Sequence, residues 1–242
     1  MANTVQTQQS SFINQILHGD CIEVMRHIPA NSVDFILTDP PYLVNYRDRD
    51  GRKIQNDANA DWLKPAMAET YRVLKQDRVA VMFYGWTKID KFFEAWTSAG
   101  FQPVGHIVFR KRYSSKSRFL RYEHEMAYLL AKGRPALPKS PIADVIDVNY
   151  TGNKLHPTQK PVAALASLVR SFSLPGDLVL DAFAGSGSTC AAAALTGRKY
   201  IGIEMDEAYL AHASARMKRV HERIAVRRSF SSPSSHRQLS CR

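Results

Sequence analysis

Two stretches carry side chains whose types and spacing could do chemistry. The first, "FILTDPPYLVNY" (35–46), begins as a buried apolar strand and stops at Asp39, Pro40, Pro41 and Tyr42. Prolines end a strand for local reasons, because the ring fixes φ and removes a donor. An acid and an aromatic held rigidly at a strand's carboxyl end can equally form a reaction site. The second stretch, "DAFAGSGST" (181–189), lies between a strand and a helix. Glycines there let the backbone approach a ligand near a helix N-terminus. A dinucleotide, a nucleotide phosphate or S-adenosylmethionine (SAM) would all suit such a turn. No Gly-Lys-Ser/Thr is present, which excludes a P-loop. Cys190 follows Gly187 by three, where the dinucleotide fingerprint wants a small residue. Glu204 lies 19 residues after Gly185, at the end of the next strand. An acid at that place can accept hydrogen bonds from ribose hydroxyls, so SAM and NAD fit about equally well.

The elements that must hold these residues alternate between strand and helix. Apolar runs at 33–38, 79–84, 178–183 and 199–204 read as strands covered on both faces. Helices are expected near 21–28, 61–75, 88–100, 161–173, after the glycine turn, and at 206–220. "GHIVFRK" and "HEMAYLLAK" read as a pair of later strands. The alternation predicts an α/β fold with an open, mostly parallel sheet and helices on both faces.

With 242 residues and 45% hydrophobic content, the chain can bury the core of one domain of good size. No apolar run approaches the ~18 residues of a membrane span. The N-terminus lacks a signal-peptide pattern, and Cys21, Cys190 and Cys241 form neither a metal pattern nor a disulfide framework. A cytoplasmic setting is the expectation. The net charge of +11 points to a polyanionic partner, most simply nucleic acid. Residues 109–121 hold six basic side chains and no acid, interleaved with Phe109, Tyr113 and Phe119. Such a segment can track phosphates and offer rings for stacking, or simply be a solvated hairpin.

Read together, the two stretches resemble the catalytic and cofactor motifs of DNA amino-methyltransferases. "HPTQKPV" (156–162) resembles a third element of that family, and "YEHEMAYLLAKG" (122–133) a late-strand motif. The order, with DPPY before the glycine motif, is that of the β arrangement, and the resemblance covers roughly 14–220. It implies a Rossmann-like SAM-dependent fold with a seven-stranded sheet. Asp39, Pro40, Pro41 and Tyr42 match the catalytic tetrad. Asp181, Phe183, Ala184, Gly185, Ser186, Gly187, Ser188 and Thr189 match the SAM loop, and Glu204 the ribose acid. Asp20, with Cys21 beside it, matches an acid near the cofactor adenine, although it could simply cap the following helix. His156, Thr158 and Lys160 match a segment that packs by the cofactor's methionine part, or are loop residues without ligand contact.

The resemblance implies methyl transfer to an exocyclic amino group of a flipped-out base in double-stranded DNA. Asp39 and the Pro40 carbonyl would accept the two amino hydrogens, and Tyr42 would stack on the base. Asp at the head of the tetrad with a terminal Tyr favours adenine N6 over cytosine N4. No cysteine follows a proline, which argues against carbon-directed methylation. A NAD-dependent oxidoreductase and a non-enzymatic DNA-binding protein are the rival readings. About 23 residues (133–155) fill the gap where a recognition domain usually lies. Loops must therefore read the DNA: 44–60 with Arg47, Arg49, Arg52 and Lys53; the hairpin with Arg110, Lys111, Arg112, Lys116, Arg118 and Arg121; and 133–155. A short or relaxed target and a homodimer are expected. No nuclease motif is present, so a restriction-modification pairing with a separate endonuclease is open. Residues 1–12 are expected to be flexible, 13–221 to form the domain, and 222–242 to be a basic disordered tail.

Overall fold

The computed structural model describes residues 12–45, 55–115, 119–149 and 160–231. Strands β1 (Gln15–His18), β2 (Phe35–Thr38), β3 (Arg78–Phe83), β4 (Gln102–Ser115), β5 (Tyr122–Lys132), β6 (Val145–Val148), β7 (Leu178–Asp181) and β8 (Lys199–Glu204) form one sheet. Its order is β1-β8-β7-β2-β3-β5-β4-β6. Only β5 runs against the others, because it returns from β4 through a hairpin. The sheet has eight strands among the described residues, not seven. The extra one, β6, is built from "VIDV" inside the expected recognition insert and pairs in parallel with β4.

The sheet's two faces are set by the period-2 alternation of side chains. Ile36, Met82 and Leu130 face helices α1 (Cys21–Arg26), α2 (Leu63–Val73) and α3 (Ile89–Ala99). Phe35, Leu37, Val81, Phe83, Phe109 and Ala127 face α4 (Val162–Phe172) and α5 (Ser188–Leu195). In α4, buried Ala164, Leu165, Leu168 and Val169 recur at helical spacing and form the stripe that covers this face. Burying Leu168 and Val169 contributes roughly 1.5–3 kcal/mol each. Pro65 sits in the first turn of α2, where a missing N–H costs little. Helix α6 (Glu207–Ser231) runs past the expected end at 220, so the disordered tail expected from 222 is helical as far as Ser231.

Chain order reverses between β7 and β2. From β2 the chain proceeds to β3 on one side, and from β7 to β8 on the other. Ligands of open α/β sheets bind outside the carboxyl ends of the strands at such a point. The helix after β7 must sit close to the sheet for this, and Gly202 in β8 allows it. A Cβ there would lie 2.8 Å from Cys190 Sγ and 3.1 Å from Ala184 Cβ. Gly202→Val is therefore expected to lower stability by about 3 kcal/mol, the upper range for overpacking, and Tm by about 6–12 °C. A melting curve equal to wild type would contradict that packing.

Candidate active site

The carboxyl ends of β1, β2, β7 and β8 open into one cleft of about 1150 Å³, mouth included. Asp39, Pro40, Pro41 and Tyr42 line one end, and Asp20, Cys21, Glu204 and Asp206 the other. Residues 181–186 with Ser188 and Thr189 lie between. The sequence thus identified two motifs that the sheet brings to one place although 142 residues separate them.

Asp39 continues the odd-numbered face of β2 beyond Leu37. Its Oδ1 accepts the Tyr42 hydroxyl at 2.7 Å, and its Oδ2 accepts Lys160 Nζ at 2.6 Å. Burial raises the Asp39 carboxyl above its usual range, against the pull of Lys160 and the Tyr42 hydroxyl. Lys160 Nζ also reaches the Tyr42 oxygen at 3.1 Å and Glu125 Oε2 at 2.9 Å. Lys160 was expected beside the cofactor. Its place just before α4, which covers the face carrying Asp39, directs the ammonium onto the Asp39 carboxylate, and Lys160 lines the same cleft as the glycine turn. Tyr42 is half-buried, and its loop is braced by the turn after β3: a Cβ on Gly85 would stand 2.7 Å from the Tyr42 carbonyl oxygen.

Asp181 is buried and accepts the Thr38 hydroxyl at 2.8 Å and the Phe183 N–H at 3.2 Å. The first bond ties β7 to β2 across the switch point, and the second holds the start of the glycine turn. Burial pushes the Asp181 carboxyl up to about 7, with those donors opposing. The unfolded carboxyl loses its proton near 3.8. Between these values the folded protein binds more protons than the unfolded chain. Stability therefore falls as pH rises from about 4 to about 7 and levels off above. Glu125 runs the other way: burial would raise it, but Lys160 and Lys111 hold it at about 2, so its contribution is lost only as pH falls below its ordinary 4.5. Denaturant titrations at pH 5 and 7.5 should show wild type losing stability across this interval and Asp181→Asn losing less. Equal losses would refute the assignment.

Glu204 accepts the N–H of Gly185 at 2.6 Å and of Asp206 at 2.8 Å, so it fixes the glycine turn as well as facing the cleft. Gly185 and Gly187 both take the left-handed region, at φ 51° and 76°. Gly187 points away from the cleft, against Ile16 and Ala213. Asp20 caps α1 through the Ile22 N–H at 2.8 Å and also lines the cleft. Burial raises the Cys21 thiol to about 12, which leaves it an uncharged wall residue. Trp62 closes the cleft, edge-on to Phe183 at 5.2 Å, with its indole N–H donated to the carbonyls of Asn56 and Asn59. Trp62 carried no local signal that marked it, whereas Glu125 lies within the late-strand motif at 122–133 without being marked as a site residue.

Among the expected DNA contacts, Arg110, Arg112 and Arg121 present largely exposed side chains on the β4–β5 hairpin, paired with Asp147 or Glu123. Lys111 does not join them. Strand alternation turns it inward with Phe109, where it is 13% exposed and bound to Glu125 at 2.5 Å. Arg47, Arg49, Arg52, Lys53, Lys116, Arg118, His156 and Thr158 lie outside the described residues.

YubD of Escherichia coli K12, a methylase by name, is 56% identical over 197 residues, 81% of this chain and 87% of YubD. YhdJ of the same organism, named a DNA adenine methyltransferase, is 31% identical over 234 residues, covering 81% of this chain and 79% of YhdJ. The solved complex of M1.HpyAVI with SAM superimposes with a TM-score of 0.67 at 24% identity, over 84% of this chain and 98% of that one. The cytosine-N4-specific PvuII DNA methyltransferase gives 0.68 at 18% identity, over 86% and 91%. Both likenesses show the fold. The model of the DNA methylase family matches residues 33–215, a span that holds Asp39, the glycine turn and Glu204, and the chain belongs to that family.

Proposed function

We propose that this DNA methyltransferase moves a methyl group from SAM to the N6 amino group of adenine in double-stranded DNA. The carrying observation is Asp39, fixed at the carboxyl end of β2 and facing the cleft, with one partner on each oxygen. A carboxylate oxygen accepts more than one hydrogen bond, so capacity is left for an amino hydrogen. The adenine amino lone pair is delocalised into the ring. An acceptor on its hydrogen draws the nitrogen toward a tetrahedral form and frees that pair for attack. The rigid Pro40–Pro41 link fixes the approach.

The cleft suits SAM. Phe183 and Trp62 supply an apolar wall, Glu204 an acid for ribose hydroxyls, and the carboxylates a field that favours a cation. When bound, SAM supplies an activated methyl on a sulfonium leaving group. The chain's own residues position the base, exclude water and balance the positive charge that develops at the amino nitrogen. The 31% identity to a protein named DNA adenine methyltransferase supports adenine. Cytosine N4 is the second reading, favoured by the fold likeness to PvuII DNA methyltransferase.

Methylation of unmodified DNA in vitro, followed by nucleoside mass analysis, tests both. N6-methyladenine is expected. N4-methylcytosine would replace the first reading with the second, and the absence of both would overturn the function. The exposed arginines of the β4–β5 hairpin fit the phosphate backbone, and loop-based reading fits a short target site. A homodimer would enlarge the grip on DNA, and measuring mass in solution tests it. Among the described residues no helix is long and apolar enough to cross a membrane.

A further inference from the structure

Four charged side chains of alternating sign form a row across the carboxyl edge of the sheet. Lys111 on β4 meets Glu125 on β5, Glu125 meets Lys160, and Lys160 meets Asp39 after β2, at 2.5, 2.9 and 2.6 Å. Strand parity puts them on one face. Glu125 stands opposite Phe109 in the β4–β5 register, and Phe109 packs on Phe83 of β3 at 4.8 Å. Lys160 Nζ lies 4.5 Å from the centre of the Phe83 ring, which bridges the gap between β2 and β5.

The side chains of Lys111, Glu125 and Lys160 are only 13%, 29% and 10% exposed. Ions held this far from water are expensive unless each has partners. Neither the cofactor nor the base needs Lys111 or Glu125 for any contact described above. We infer that Glu125 is a positioning residue for methyl transfer: it shares the Lys160 ammonium, so that Asp39 is held in place without being neutralised, and Lys111 keeps Glu125 charged. The inference rests on the reading of Asp39 as the acceptor of the target amino group.

Lys160 has three N–H bonds and three acceptors within reach: Asp39 Oδ2, Glu125 Oε2 and the Tyr42 oxygen. Its direction is thereby fixed. The row holds two positive and two negative groups, so it is neutral before the reaction. During transfer the amino nitrogen gains positive charge and needs the carboxylate beside it. If Glu125 loses its charge, the row becomes positive and Lys160 turns on Asp39 alone. Both changes oppose the charge that develops.

The test uses Glu125→Gln, Lys111→Met and the double variant in the full chain, with unmodified DNA and methyl-labelled SAM. The groups facing Asp39 are Lys160, Tyr42, Glu125 and, across the switch point, Asp181; those facing Glu125 are Lys111 and Lys160. Glu125→Gln is expected to lower kcat about tenfold or more, with KM for SAM within about twofold. It also moves the acid limb of the kcat profile to lower pH, because Asp39 no longer faces a second carboxylate. Lys111→Met moves that limb to higher pH, since Lys160 is drawn toward Glu125. The double variant restores neutrality but still leaves Lys160 to Asp39 alone, so it recovers part of the lost kcat and its loss is less than additive, which a merely structural role does not predict. Additive losses, or an acid limb that stays in place in both single variants, would overturn the inference. Carbon NMR titration of the Asp39 carboxyl reads the same opposed shifts without turnover. A protein that methylates nothing would refute the proposed function, and the titration would still decide the role of Glu125.

Discussion

Asp39→Asn is expected to lower the single-turnover rate of methyl transfer by about 10²–10³-fold, the scale for losing one preorganised electrostatic partner of a transition state. The substitution keeps the shape of the side chain and removes its charge. Lys160 keeps Glu125 at 2.9 Å and Tyr42 at 3.1 Å, so the fold does not depend on Asp39 being ionised. The asparagine must turn its oxygen to Lys160 and its NH2 group to the Tyr42 oxygen. No anionic acceptor then remains for the amino hydrogen. SAM affinity, measured by calorimetry, should stay within about threefold, because Asp20 and Glu204 at the other end of the cleft, and the glycine turn between, are untouched. A variant that transfers methyl at the wild-type rate would remove Asp39 from the chemistry. A variant that loses SAM binding in proportion to rate would move Asp39 from the chemistry to cofactor binding.

The legible parts of this molecule were those in which chemistry and local structure coincide. DPPY ends a strand by proline sterics and presents its acid in the same four residues. The glycine turn announces a strand-to-helix junction and a ligand site in nine. Alternating apolar runs predicted a mostly parallel sheet, and one follows, with β5 alone reversed. What escaped depends on pairings between distant segments. Lys160 and Asp39 are 121 residues apart, and only the covering of one sheet face by α4 brings them together. Lys111 read as a phosphate contact because composition reports the sign of a charge and not the face it occupies. Its ion pair with Glu125 depends on the face it shares with Phe109, the residue opposite Glu125 in the register, which no local pattern around Lys111 specifies. Strand β6 escaped because four residues, "VIDV", carry too little period to stand out from a loop, and parallel pairing with β4 decides it. The helix beyond 220 was misjudged from its Ser and Arg content. Arginine is a good helix former, and α6 simply continues through Ser231.

Lys160→Met should have effects on stability and on pH dependence that arise from the same cause. Asp39 and Glu125 lose their common counterion inside a site where Lys160 is 10% exposed. Breaking a buried pair by removing one partner costs about 3–5 kcal/mol. The lower end applies here, because Lys111 still holds Glu125 and the Tyr42 hydroxyl still donates to Asp39. That corresponds to a fall in Tm of roughly 6–12 °C for a chain of this size. The sign of the pH effect follows from burial, which already raises the Asp39 carboxyl against the pull of Lys160. Without the ammonium nothing but the Tyr42 hydroxyl opposes burial, so the carboxyl keeps its proton to higher pH. The acid limb of the rate profile should therefore move to higher pH than in wild type, with transfer recovering as rising pH ionises Asp39. Lys160→Arg retains the charge, but its planar fork cannot meet three converging acceptors, and it should fall between wild type and Lys160→Met. Rate profiles from pH 5 to 9 for the three proteins check the order. If Lys160→Met keeps both the wild-type acid limb and the wild-type melting temperature, Lys160 does not tune Asp39, and a cofactor role for it, as in the original motif match, becomes the better reading.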